Sequence, residues 1–471
     1  KRECQDCHMP PEKATLGDLA AKDGMVKSHR FIAVNSALPY LRGDTATLKR
    51  IDAFLRAEKL GVDIFAVKST SHPEPITSID HGELNLKAGE EITVDVVVRN
   101  KGVGHTFPGG TIDSNEGWLE FSIKDDKGNT LLISGFIDEN GHLDPGAHAF
   151  KGVFVDKNSN PIHKRNAQDI QVAVYTNVIG PGTADIAHYT FTLPQEFKNS
   201  KMSIEARLLF RKFDQKYLEF AYNANPQGFK MFDEIPELPI SEIAADRIEF
   251  TVSSSPTSID EDDKSRILAS EWIRYNDYGI GLLLEGDSRG AIRAFEMVES
   301  LQPDRLDGPL NLAKTALRDG SIDEAYKNLR KCEKLKKGDP QVAWVWARVR
   351  QEEGKYEEAI AAYKYVLKHF PDDRAARRQL GRTYYLDQRY EESIKTYKSV
   401  LEIDPEDREA FYHLYLNYKA LGKTEEATEM KNAFEYYKID ESAARAAQKY
   451  RMENPEDNLR AQDIRIHHLE F

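Results

Sequence analysis

The sequence predicts a multidomain chain: a small N-terminal segment marked by a cysteine pair, an all-β sandwich of the immunoglobulin-like kind, and an all-α repeat solenoid. Three observations carry this. Cys4-Gln5-Asp6-Cys7-His8 is a C-x-x-C-H run. From about residue 81 to 254 apolar and polar residues alternate with period two. Further on, glycine, alanine and aromatic residues recur every 34 positions. The expected divisions are residues 1–80, 81–255 and 256–471.

Bulk properties narrow the classes. The chain has a net charge of −13, and no basic run argues for nucleic acid as a partner. It contains no uninterrupted apolar stretch long enough for an ordinary transmembrane helix. Cys4 and Cys7 are close together and Cys332 is far away, which is no disulfide framework. The C-x-x-C-H run lies within a few residues of Lys1, so a preceding portion that includes a removed secretion signal is expected.

The spacing of the first motif has a chemical reason. Two thiols three residues apart can add to the two vinyl groups of a haem, and the adjacent imidazole then reaches the iron from one face. Cys4 and Cys7 are therefore the expected attachment points of one haem c, and His8 an iron ligand. A structural zinc site would need further ligands of the same kind, and there is no second cysteine pair. For the opposite face, Met9 is too near His8, while Met25 is within reach. His29, in Lys27-Ser28-His29-Arg30-Phe31, and His105, in the glycine-rich loop from Gly102 to Gly110, are the two main candidates. A histidine between glycines lies where backbone can approach a flat ligand closely.

Cys4 through Pro10, Ser28 through Phe31 and Asn35 through Leu41 resemble the last haem segment of periplasmic multihaem c-type cytochromes. Members of that family often continue into a β domain with a G-x-G-H-x-F-P-x-G loop, matched here by the loop from Gly102, and some end in tetratricopeptide repeats. The resemblance covers nearly the whole chain. It implies an extracytoplasmic, periplasmic location and electron transfer, with further haems on a preceding segment or another subunit. The chain departs from the family in carrying a single C-x-x-C-H motif.

Next comes a helix capped by Asp44 or Thr45, with Leu48, Ile51, Phe54 and Leu55 on one face. His72-Pro73 and Pro75 mark a linker. The strand series includes Ile92, Val94, Val96 and Val98, then Leu119, Phe121 and Ile123, then Ile170, Val172 and Val174. It continues with Met202 through Phe210 and closes on Ile248, Phe250 and Val252. No crossover helix is long enough to link parallel neighbours, so the pairing is expected to be antiparallel throughout. There is no nucleophile elbow, zinc-protease helix or phosphate-cradling loop. Asp113, Asn115 and Glu116 are read as a solvated or strand-edge group, since calcium-loop spacing is missing. His142, His148, His163 and His188 are read as surface residues.

Asp260 to Asp263 is an acidic linker. Gly286, Gly320, Gly354, Gln388 and Gly422 then recur with a period of 34, as do Ala291, Ala325, Ala359, Ser393 and Ala427. This is the tetratricopeptide pattern. The glycine serves the turn within a helix pair, the alanine the close helix–helix approach, and Pro303, Pro371 and Pro405 end second helices. Gln388 stands at a glycine position, at an expected cost of about 1 kcal/mol if a left-handed backbone is needed there. Cys332 falls in a second helix as a core thiol. A capping helix from Glu441 to Tyr450 and a polar extended tail from Asn454, containing His467 and His468, complete the chain.

The leading functional expectation is an electron-transfer subunit that docks on a protein redox partner through its repeats. The alternative is an assembly protein that organises a redox complex or filament, with the haem structural or vestigial. A haem enzyme comes third, because no acid–base set accompanies the motif.

Overall fold

The structure, a computed structural model, describes residues 3–80, 83–224, 233–259, 269–438 and 441–471. It comprises two compact units: Lys1–Ile267 together with Arg445–Phe471, and Leu268–Ala444. The acidic linker at Asp260 to Asp263 lies outside the described residues.

In the first unit, α1 (Cys4–His8) leads into the antiparallel hairpin of β1 (Pro11–Lys13) and β2 (Met25–Lys27). Helix α2 (Ala37–Leu41) and helix α3 (Thr45–Leu55) follow. Asp44 is the N-cap of α3, its carboxylate accepting from the Thr47 backbone N–H at 2.9 Å. Ile51 and Leu55 carry the apolar face of α3 into the core of the strands that follow.

Those strands are β3 (Leu60–Ser69), β4 (Ile76–Thr77), β5 (Leu84–Lys87), β6 (Glu91–Asn100), β7 (Glu116–Asp125), β8 (Thr130–Ser134) and β9 (His148–Phe150). The next are β10 (Gly152–Val155), β11 (Val172–Thr176), β12 (Ala184–Thr192), β13 (Lys201–Arg211), β14 (Ser241–Ser253) and β15 (Ser258–Ile259), with α4 (Gln215–Asn223) between β13 and β14. The last strand, β16 (Ile466–Leu469), comes from the chain's C-terminal end. A five-stranded sheet has the order β16-β12-β6-β3-β4 and a seven-stranded sheet β15-β5-β14-β13-β7-β8, with β9 also on β7, while β10 and β11 form a two-stranded antiparallel sheet of their own.

The alternation explains why two sheets form one core. Ile92, Val94, Val96 and Val98 from β6 pack with Leu119, Phe121 and Ile123 from β7 and with Ile204, Ala206 and Leu208 from β13. Phe121 and Tyr189, one from each sheet, stack with ring centroids 4.1 Å apart. Each such side chain contributes about 1.5–3 kcal/mol by leaving water.

Three expectations are corrected. The sandwich begins well before residue 81, because β3 pairs with β6 over most of its length. The pairing is not purely antiparallel, since β14–β5 and β12–β16 are parallel. The long stretches of chain between the members of each pair supply the connection that parallel strands need, without a dedicated crossover helix; the immunoglobulin type of sandwich is antiparallel throughout. The tail from Asn454 is neither wholly extended nor part of the solenoid unit. It forms a helix (Pro455–Arg460) and β16, and it belongs with the sandwich.

The second unit is a run of paired helices from Trp272–Glu285 to Thr424–Tyr437. Asp287, Asp339, Asp373 and Asp407 cap helix starts by accepting backbone N–H groups. The turn residues Gly286, Gly320, Gly354, Gln388 and Gly422 all have positive φ, between 59° at Gln388 and 94° at Gly286. The helices approach closely at small residues: a Cβ on Gly381 would meet the Tyr397 ring at 2.7 Å. Ala291, Ala325, Ala359 and Ser393 are fully buried. So is Cys332, whose thiol is pushed up to about 12 by burial.

Candidate functional site

The cysteine pair sits in α1, whose first turn is closed by the Glu3 backbone N–H donating to Asp6 at 2.9 Å. Positions three apart on a helix share a face. Cys4 and Cys7 therefore project together, Cys4 exposed and Cys7 half-buried, both as free thiols. His8 follows on the last turn. Its Nδ1 lies 2.8 Å from the Ile32 carbonyl oxygen, which accepts a proton from it. This fixes the tautomer and turns the Nε2 lone pair outward.

Two further groups frame the His8 ring. Phe54 of α3 packs against it with centroids 5.6 Å apart. Lys59 lies 3.9 Å from the centroid of Phe54 and donates to the Phe54 carbonyl oxygen at 2.7 Å. Burial holds the Lys59 ammonium below its ordinary value, against a smaller upward pull from Cys7.

His105 is brought to the same place from the sandwich. Its ring lies 6.2 Å from that of His8, centroid to centroid, with the planes only 19° apart. The loop that carries it is held at both ends. Buried Asn100, the last residue of β6, accepts from the Val103 N–H at 2.9 Å and donates to the His105 and Ile179 carbonyls. Asn115 donates to the Gly109 carbonyl at 3.0 Å, and Phe107 exchanges backbone bonds with Ile179. His105 Nδ1 faces the Thr106 carbonyl at 2.8 Å, so this ring too turns Nε2 outward. Gly109 has a steric reason: a Cβ there would meet the His105 ring at 3.0 Å.

His29 is not part of this arrangement. It is exposed, and its ring packs edge-on against Phe31 at 6.1 Å. Met25 is on β2 and Met9 at the C-cap of α1. Among the described residues no group of three or more His, Cys, Asp or Glu side chains is placed to share a metal ion. Asn115 and Glu116 are committed to protein partners, Glu116 through Arg211 at 2.5 Å.

Sequence reasoning missed the carbonyl of Ile32, the ammonium of Lys59 and the brackets at Asn100 and Asn115. Asn100 carried a signal, being an asparagine at a strand end just before the glycine-rich loop. It also misplaced three histidines. His148, His188 and His467 are buried. His188 Nδ1 is 2.7 Å from buried Asp95, which Lys68 also pairs at 3.0 Å. Burial holds His148 down to about 4 and His467 to about 3.

The solenoid has its own recess. Tyr326, Arg330, Trp346, Arg350 and Glu358 line a cleft of about 400 Å³. Arg350 lies 5.1 Å from the ring centroids of both Tyr326 and Trp346, and pairs with Glu358 at 2.9 Å.

A family model described as tetratricopeptide repeat matches residues 345–408. No curated protein matches the chain. Among solved structures, one described as "Crystal structure of MamA protein" is 22% identical, covers 40% of this chain and 96% of its own, and has a TM-score of 0.31. A MamA mutant is 21% identical over 36% of this chain and 98% of its own, with a TM-score of 0.32. "MamA RS-1 ArsTM double mutant" is 17% identical over 36% and 94%, with a TM-score of 0.33. The chain thus combines a sheet-rich N-terminal region with a C-terminal helical solenoid of tetratricopeptide type. Repeats of this kind bind protein partners. No helix among the described residues is long and apolar enough to cross a membrane.

Proposed function

We propose that the chain is a c-type cytochrome subunit that transfers electrons. Cys4 and Cys7 would attach one haem c, His8 and His105 would hold its iron, and the solenoid would dock a protein redox partner or other subunits of a complex. The observation that carries this reading is the pairing of the His8 and His105 rings at 6.2 Å, each with its Nδ1 on a backbone carbonyl. A metal ion bound about 2 Å from the Nε2 of each of two imidazoles places the ring centroids about 6 Å apart. The residues present therefore fit a bis-histidine haem. Such a haem supplies one-electron transfer, at a lower potential than histidine–methionine ligation.

The chain's own residues do the positioning. Ile32 and Thr106 hold the two tautomers, and Asn100 and Asn115 hold the loop. Phe54 covers one edge of His8 and excludes water there. The proposed location is the periplasm or another extracytoplasmic compartment, in keeping with covalent haem attachment. Further haems on a preceding segment or on another subunit would extend the electron path.

The test is intact mass, a pyridine haemochrome assay and the ferric spectrum. One haem mass on the peptide containing Cys4 and Cys7 and a low-spin, six-coordinate spectrum are expected. His105→Gly should give a high-spin spectrum, and His29→Gly should leave it unchanged. No covalent haem mass on that peptide would end the proposal. Conversion by His29→Gly instead would move the ligand.

A second reading, assembly of a redox complex with the haem structural or vestigial, is favoured by the repeat solenoid. A stable multi-subunit particle whose activity survives His8→Ala would select it.

A further inference from the structure

Lys164, Arg165 and Lys212 gather over one aromatic stripe in the sandwich unit. Phe213 stands just before Asp214, the N-cap of α4, and Tyr217 and Phe220 follow on that helix. Spacings of four and three residues put the rings along one side. The Phe213 and Tyr217 centroids are 4.8 Å apart. Each cation lies over a ring of this stripe. Lys164 Nζ is 5.1 Å from the Phe220 centroid, and Lys212 Nζ is 5.5 Å from that of Phe213. Arg165 Cζ is 5.7 and 5.8 Å from the centroids of Phe213 and Tyr217. Ring faces attract cations but carry no net charge, so the positive charges stay uncompensated.

Among the described residues no carboxylate pairs with any of the three. The acids close in sequence are committed elsewhere. Asp169 accepts from Asn166 at 2.7 Å, Asp214 pairs with Lys151 at 3.1 Å, and Glu219 with His142 at 3.0 Å. Lys164 and Arg165 are exposed and Lys212 is half-buried. Burial, with the charge of Arg165 second, holds the Lys212 ammonium below its ordinary value. Like charges held together in this way favour an incoming anion. Lys212 also fixes where the patch lies. Its Nζ donates to Asn115 Oδ1 at 3.1 Å, and the same carboxamide donates to the Gly109 carbonyl on the His105 loop. One side chain thus separates the patch from that loop.

We propose that Lys164, Arg165 and Lys212 form a docking surface for a protein partner that presents an acidic face. The surface is distinct from the repeats and does not depend on a bound haem. Electron exchange with a partner seated there, beside His105, does rest on the haem reading. Charge complementarity selects the occupant. The chain carries a net charge of −13, so a broad anionic surface such as a membrane is repelled by what surrounds the patch. At physiological salt a charge is felt over about 8–10 Å, so a small acidic face meets the patch alone. The rings beneath the cations are half-buried and offer lipid no apolar wedge.

Calorimetric titration of the full chain with a polyglutamate peptide tests this, with polyglutamine as the uncharged control. Polyglutamate should bind and polyglutamine should not, and affinity should fall at least about tenfold between roughly 20 and 200 mM salt. Lys164→Glu combined with Arg165→Glu should weaken binding at least about tenfold at the lower salt. Carbodiimide coupling of peptide carboxylates to lysine amines reads the site in the unaltered chain, whatever the fold of the variant. Each coupling forms an amide, and the carbodiimide takes up the water released. The peptide should be found on Lys164 or Lys212. Absence of binding, unchanged affinity in the double variant, or coupling confined to solenoid lysines would each overturn the proposal. So would variant-sensitive binding to phosphatidylglycerol vesicles that is tighter than to the peptide, which would make the patch a membrane surface.

Discussion

Gly109 is where residue chemistry bears most directly on the candidate haem site. Its missing side chain lets the His105 ring lie flat against the loop. Gly109→Ala should push that ring by a few tenths of an ångström and weaken the sixth ligand, read as a partial high-spin component in the ferric spectrum with the covalent haem retained. Gln388 shows the reverse situation. It holds φ at 59° where the other repeats place glycine. Gln388→Gly should raise stability by about 1 kcal/mol, read as a shift in the urea midpoint. That Cys4, Cys7 and His8 stand together on α1 was legible, because their spacing fits one short helix. That His105 and not His29 lies beside the His8 ring was not, since it depends on Asn100 and Asn115 holding a loop near a helix far away in sequence. His148 and His188 read as solvated because a lone polar residue in the sequence gives no sign of the carboxylates of Asp185 and Asp95 that meet them, and His467 because nothing in the tail shows that it meets the Gly146 carbonyl and His148.

Elements were legible where period and neighbours agree. The paired helices repeat their glycine, alanine and aromatic positions in register, and those positions are the turns and close approaches of the solenoid. The strands announced themselves by alternation, but alternation carries no partner. Nothing in Leu84–Lys87 says that it pairs in parallel with Ser241–Ser253, and nothing in Ile466–Leu469 says that it completes a sheet. Close approach makes a sharp prediction in the solenoid. The Tyr397 ring that faces Gly381 is itself fully buried and cannot move aside. Gly381→Ala should therefore destabilise the solenoid by about 1–3 kcal/mol despite the better helix propensity of alanine, read from denaturant unfolding.

On the scale of the whole molecule, the chain leaves the sandwich unit, builds the solenoid, and comes back to the unit where it began. The returning segment does more than end the chain. Ala446, Ala447 and Tyr450 share a core with Val155, Val174 and Tyr175. Asp457 accepts from the hydroxyls of Tyr175 and Tyr450 at 2.8 and 2.7 Å, and Asn177 donates to the Arg460 carbonyl at 2.9 Å. The sandwich is thus closed by residues synthesised after the entire solenoid. A chain ending at residue 444 would open that small core, strip β12 of β16 and leave Asp185 with His148 alone in place of His148 and Arg465. Losing several kcal/mol from a unit of this size lowers its unfolding temperature by about 10 °C. Calorimetry of the truncated chain should show the sandwich transition shifted by that amount, with the solenoid transition in place. A single transition lowered as a whole would instead mean that the two units unfold together.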